Sequence, residues 1–146
     1  MPSTLSPPRQ QVTNLLTNFQ DGHYDETEKL AISITQEFPK DSFAWKVLAA
    51  VYKKMGRKSE AVNANERAVA LSPQDAEAHF NLGNTLQELG RPNEAQSSYR
   101  QAIRLKSNYA EAFCNLGITL LASNKLEEAE ESLRQAIKLK PDFDIA

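Results

Sequence analysis

The stretch Ala76–Tyr109, AEAHFNLGNTLQELGRPNEAQSSYRQAIRLKSNY, decides the fold, because the next 34 residues repeat its plan as AEAFCNLGITLLASNKLEEAEESLRQAIKLKPDF. Working outward, Gly22, Gly56 and Gly90 stand 34 apart with Asn124 on the next rung, and Gly83 and Gly117 form a second ladder. Pro39, Pro73 and Pro141 keep the same register, with Ser107 on the vacant rung. Ala61, Ala95 and Ala129 repeat it again, as do Ala68, Ala102 and Ala136. A fixed period of this length marks a repeat array, in which each unit buries its apolar face against its neighbours.

Each period reads as two helices. Ala78, Leu82, Leu86 and Leu89 share one helical face, and Ala95, Tyr99, Ala102, Ile103 and Leu105 mark a second. Gly90 sits where the first helix stops and a left-handed residue is favoured. Asn124 suits the same place, since Asn tolerates that conformation better than most residues. Pro92 falls in the first turn of the second helix, where its missing N–H costs nothing. Pro39, Pro73 and Pro141 each forbid continuation of a second helix. No pattern suggests a strand. The expected architecture is all-α, with four antiparallel helix pairs at 8–41, 42–75, 76–109 and 110–143 in one domain spanning 8–143. Residues 1–7 are expected to be extended or disordered, and 144–146 to be a truncated end.

With 146 residues the chain suits one ordinary domain. Seventeen basic against nineteen acidic side chains give a net charge of −2, which argues against a nucleic-acid partner. One cysteine makes no internal disulfide, and Met1–Pro8 holds no apolar signal region, so a cytoplasmic location is expected. No stretch is apolar enough for a membrane span, so no membrane partner is expected.

The motif positions resemble the tetratricopeptide repeat family. Counting each repeat from Pro8, Ser42, Ala76 and Ala110, that pattern wants a large residue fourth, Leu seventh, Gly or Ala eighth and a bulky residue eleventh. It then wants Ala twentieth, an aromatic twenty-fourth, Ala twenty-seventh and Pro thirty-second. The third repeat supplies His79, Leu82, Gly83, Leu86, Ala95, Tyr99, Ala102 and Ser107, and the fourth supplies Phe113, Leu116, Gly117, Leu120, Ala129, Leu133, Ala136 and Pro141. The second places Asn65 in the aromatic slot, and the first is degenerate, with Gln11, Leu15, Thr27 and Ile34 replacing the usual residues. The resemblance implies a right-handed superhelical solenoid.

Little here suggests chemistry. The glycines serve ladders rather than a clustered phosphate loop. His23 reads as a solvated loop residue and His79 as a packing residue between helices. Cys114 follows His79 by 35 residues, but no third group is placed to orient a nucleophile pair. No set of three or four ligands converges for a metal. The expectation is no enzyme activity, no catalytic residue, no cofactor and no metal.

The family resemblance implies that repeat positions 2, 5, 6, 9, 12 and 13 face a concave groove. The peptide-binding candidates are therefore Lys46 and Lys53 from the second repeat, Glu77, Phe80, Asn81 and Asn84 from the third, and Glu111, Asn115 and Ile118 from the fourth. Residues 42–75 carry six basic against three acidic side chains, and 110–146 carry four against seven, so charge is graded along the chain. Asn81 and Asn115 both precede Leu-Gly, and these repeats resemble those of O-linked N-acetylglucosamine transferases, where an asparagine ladder holds peptide backbone. An amide both donates and accepts, so it suits a peptide group of any sequence; the same positions equally suit bonds to neighbouring helices. The chaperone-type carboxylate clamp is absent: Lys46 and Asn81 match it, but Ala50, Glu111 and Asn115 do not.

The leading expectation is a non-catalytic scaffold that binds a protein or extended peptide in the groove. Two others stand beside it: a structural module that self-associates through its ends, and the targeting segment of a larger enzyme such as a glycosyltransferase. The final helix, about Leu126 to Leu139, carries apolar residues for two sides, and Leu133 and Ile137 are the candidates for self-association. That end is expected to be covered by another copy, giving a homo-oligomer through the C-terminal helix, or by further sequence.

Overall fold

The structure, a computed structural model, describes residues 6–141. The expectations for 1–5 and 142–146, including the end at 144–146, lie outside the described residues. Eight helices follow in order: α1 (Arg9–Gln20), α2 (Tyr24–Glu37), α3 (Phe43–Lys54), α4 (Lys58–Leu71), α5 (Ala76–Glu88), α6 (Pro92–Leu105), α7 (Ala110–Ala122) and α8 (Leu126–Leu139). No strand occurs among the described residues. The helices group into two compact units, one ending at Ser72 with α1–α4 and one beginning at Pro73 with α5–α8.

The turn inside each pair is the same device four times. Gly22, Gly56 and Gly90 have φ of 78°, 76° and 80°, and Asn124 takes 59°, the left-handed conformation its rung demands. The residue after each closes the helix end with its backbone N–H: His23 on the Asn18 carbonyl, Arg57 on Tyr52, Arg91 on Leu86 and Lys125 on Leu120, at 2.8–2.9 Å. Such a closure satisfies a carbonyl that the helix itself leaves unpaired. Asp75 starts α5 by accepting from the backbone N–H groups of Glu77 and Ala78, and Pro92 opens α6.

Within a pair, a large residue on one helix meets a small one on the other. In the second unit the small partner is glycine: a Cβ on Gly83 would lie 2.7 Å from the Tyr99 ring, and one on Gly117 would lie 2.6 Å from Leu133 Cγ. In the first pair the sizes exchange. Leu15 fills the glycine position and Ala31 the aromatic position, and both are wholly buried. The first repeat therefore departs from the motif in a compensated way, and Thr27, also buried, donates its hydroxyl to the His23 carbonyl at 2.7 Å.

Within each unit, successive pairs are tied by polar contacts between residues somewhat less than one repeat apart. In the first unit Arg57 donates to both oxygens of Glu28, 29 residues earlier, at 2.8 Å, with its guanidinium over the Tyr52 ring. In the second unit Lys125 donates to Gln96, also 29 residues earlier, and Gln96 donates in turn to Ser123. Arg100 pairs with Glu128 at 2.7 Å.

The first pair is the least firmly held. α1 packs more sparsely on its partner than any other first helix does, and Gln11 Oε1 is buried without a hydrogen-bond partner. Stability in such arrays is close to a sum of unit and interface terms. Amide hydrogen exchange is expected to be faster in 9–37 than in 76–105; uniform protection would refute the ranking.

Candidate functional site

The groove candidates fall in both units. In the first, Lys46 is half-buried on α3 and Lys53 is exposed in its last turn, with Lys54 beside it; Val47, on the same set of positions, is buried. No acidic residue lies on α3, so this helix presents cations alone.

The second unit holds the denser arrangement. Asn84 and Gln87 sit one turn apart on α5, and Asn115 and Thr119 one turn apart on α7. Asn115 Nδ2 donates to Asn84 Oδ1 at 2.9 Å. The Tyr99 hydroxyl, reaching up from α6, lies 2.7 Å from Asn84 Oδ1 and 2.9 Å from Gln87 Oε1, and its one proton goes to either oxygen. Thr119 Oγ1 is 2.7 Å from the Asn115 main-chain carbonyl and 3.0 Å from Gln87 Oε1. Burial pushes the Tyr99 hydroxyl pKa well above its usual range; Glu88 adds to this and a bond with Asn115 partly opposes it. The tyrosine stays a neutral donor, and its one proton holds the oxygen of Asn84 or of Gln87, while Asn115 and Thr119 reach the same two oxygens from α7. These bonds use the oxygen of each amide and leave its NH2 group out of the network.

Ile118 and Leu121 occupy on α7 the positions that Asn84 and Gln87 occupy on α5, and they are 42% and 47% exposed. Glu77, Glu88 and Glu111 are the charged side chains of α5 and α7, so this face is acidic where α3 is basic. Glu111 is held below the usual carboxylate range, first by its own backbone N–H and then by Lys140 at 3.3 Å. Phe80 is half-buried, its ring centroid 4.9 Å from Tyr109 and 6.0 Å from Tyr99, so it supports the site from beneath. Burial, with Glu77, Glu111 and Asp75 nearby, pushes Tyr109 up to about 12. Asn81 is half-buried one turn before Asn84.

The 34-residue ladder joined Asn81 to Asn115, yet the bond that forms joins Asn115 to Asn84, 31 residues earlier. Gln87, at repeat position 12 and so already on the expected groove face, and Thr119, which is at none of those positions, complete the network. His79 Nε2 lies 2.9 Å from the Pro73 carbonyl, and Cys114 is buried, its thiol pushed up by burial and by Glu111.

A family model described as a TPR repeat matches residues 49–90, and one described as a tetratricopeptide repeat matches 81–142. The chain belongs to the tetratricopeptide repeat family. No curated protein sequence matches it. Among solved structures, this TPR chain is similar to MamA at 18% identity, with a TM-score of 0.86 over 96% of this chain and 80% of the other. It is similar to YrrB at 25% identity, with a TM-score of 0.83 over 92% and 70%. The first TPR of Spaghetti (RPAP3) is similar at 23% identity, with a TM-score of 0.69 over 71% and 82%. Within the described residues no helix of this TPR chain is long and apolar enough to cross a membrane.

Proposed function

We propose that the α5–α7 face of this TPR chain binds an extended peptide segment of a partner protein without catalysing a reaction on it. The observation that carries the reading is the pair Asn84 and Gln87. Their amide oxygens are held by Tyr99, Asn115 and Thr119, which leaves their NH2 groups outside that network, and Ile118 and Leu121 are exposed at the equivalent positions of α7. Fixed NH2 donors suit main-chain carbonyls of any sequence, and ordering them in advance lowers the entropy that binding must offset. The apolar pair offers contact for one aliphatic side chain. With Glu77, Glu88 and Glu111 as the charged side chains of α5 and α7, the segment that fits carries a basic residue. YrrB, described as a TPR protein with an unusual peptide-binding site, supports a peptide reading for this fold.

The test is a panel of unstructured synthetic peptides screened against the whole chain. Peptides that pair a basic with an aliphatic residue are expected to bind in preference to acidic ones. Ile118→Asp with Leu121→Asp removes that binding at unchanged helicity, because both side chains are exposed. Asn81→Ala with Asn115→Ala weakens it too, and also lowers stability by about 1–3 kcal/mol because the Asn84 network loses a donor. Binding untouched by either pair of substitutions would overturn the assignment.

A further inference from the structure

Leu126, Glu130, Leu133 and Ile137 stand on α8 at spacings of four, three and four, which aligns them as one stripe along the helix. Leu126 is 60% exposed and Ile137 49%, while Leu133 is half-buried where it packs over Gly117. Arg134 flanks the stripe and pairs with Glu130 at 2.6 Å, both side chains remaining largely in water. One repeat earlier the same stripe is Pro92, Gln96, Tyr99 and Ile103 on α6, and there the following helix pair covers it. Gln96 is buried and bonded to Ser123 and Lys125, and Ile103 packs on the cluster that holds Tyr109 and Ala112. The stripe is thus the surface on which this repeat plan carries its next layer, and on α8 the described residues leave it open.

We propose that a second copy of this chain occupies the stripe, with the two α8 helices antiparallel about a two-fold axis. The stripe is self-complementary under that operation. Reversing the helix about a point between residues 131 and 132 sets Leu126 of each copy beside Ile137 of the other at the two ends. In the middle, Glu130 of each copy falls level with Leu133 of the other, and Arg134, the next residue along, stands on the same side as the carboxylate. A two-fold interface requires this reciprocity, residue i meeting j while j meets i. The head-to-tail alternative fits poorly. The residues that would receive Ile137, as Tyr109 and Ala112 receive Ile103, correspond to Pro7 and Gln10, and Gln10 is polar and exposed. One pair of 14-residue helices covers less than the roughly 1,200 Å² at which standard interfaces begin. The dimer is accordingly weak and in rapid exchange. It is independent of the peptide site, since none of the groove candidates lies on α8.

Sedimentation equilibrium of the whole chain over rising concentration tests this. The expected result is a monomer–dimer equilibrium with no larger species. Glu130→Arg and Arg134→Glu, each alone, place like charges in the middle of the pairing and weaken it about tenfold or more. An equal mixture of the two variants restores dimers, because both charged contacts across the axis again join opposite charges. Leu126→Gln weakens the dimer by an uncharged route, with circular dichroism confirming the fold of each variant. A chain that stays monomeric, species that grow beyond dimers, single variants that associate like the wild type, or a mixture that stays monomeric would each overturn the proposal.

Discussion

Replacing Tyr99 with alanine lowers the unfolding free energy by about 3–5 kcal/mol, the cost of emptying a buried aromatic site. Tyr99 is wholly buried, lies against the Gly83 backbone and carries the hydroxyl that holds Asn84 or Gln87. For a chain of this length each kcal/mol moves the melting temperature by about 2–4 °C, so a fall of roughly 10 °C is expected by calorimetry. The first repeat suggests the rescue. There Leu15 faces Ala31, so Gly83→Leu in the Tyr99→Ala background refills the space and recovers part of the loss. Gly83→Leu alone collides with the ring and destabilises. The two substitutions are therefore strongly coupled in a double-mutant cycle. Additive effects would show that the two positions do not share one volume.

Gly117→Val is expected to cost about 1–3 kcal/mol, although valine is ordinarily the better helix residue. The new Cβ would lie 2.6 Å from Leu133 Cγ and 2.8 Å from Leu133 Cδ2, and 3.3 Å from the Ala129 carbonyl oxygen. A leucine end can swing away, but Cγ sits at the branch and the carbonyl belongs to the α8 backbone. Leu133→Ala added to Gly117→Val relieves the first clash and leaves the second, so thermal unfolding of the pair should recover only in part. A Gly117→Val chain that melts with the wild type would refute the close approach.

The period in the sequence reveals equivalence, and equivalence located the helices, their turns and the left-handed rung that Asn124 fills. It does not reveal contact. Residues 34 apart occupy like positions, whereas the side chains that touch across neighbouring pairs lie closer, for example 27, 28, 29, 31 or 32 residues apart. That offset comes from how one helix crosses the next, and no single repeat encodes it. For this reason the sequence placed Asn84 and Gln87 on the groove face and paired Asn81 with Asn115, but showed neither Thr119 nor the bond from Asn115 to Asn84. Tyr99 was legible as a packing residue through its aromatic slot. Its hydroxyl's part in ordering two amides became visible only once α5, α6 and α7 were set side by side.

The exchange of sizes inside the helix pairs bears on how such a gene can be shuffled. A crossover between whole repeats moves Leu15 together with Ala31, or Gly83 together with Tyr99, and each module arrives with its volume already matched. A crossover within the turn, at the codons around Gly22 or Gly90, parts the two halves. One product then sets Leu15 against Tyr99 and is overfilled. Its reciprocal sets Gly83 against Ala31 and is left with a void. Recombination between these two repeats is thereby constrained to the junctions between pairs, whereas the third and fourth repeats, with Gly83 against Tyr99 and Gly117 against Leu133, share one arrangement of sizes.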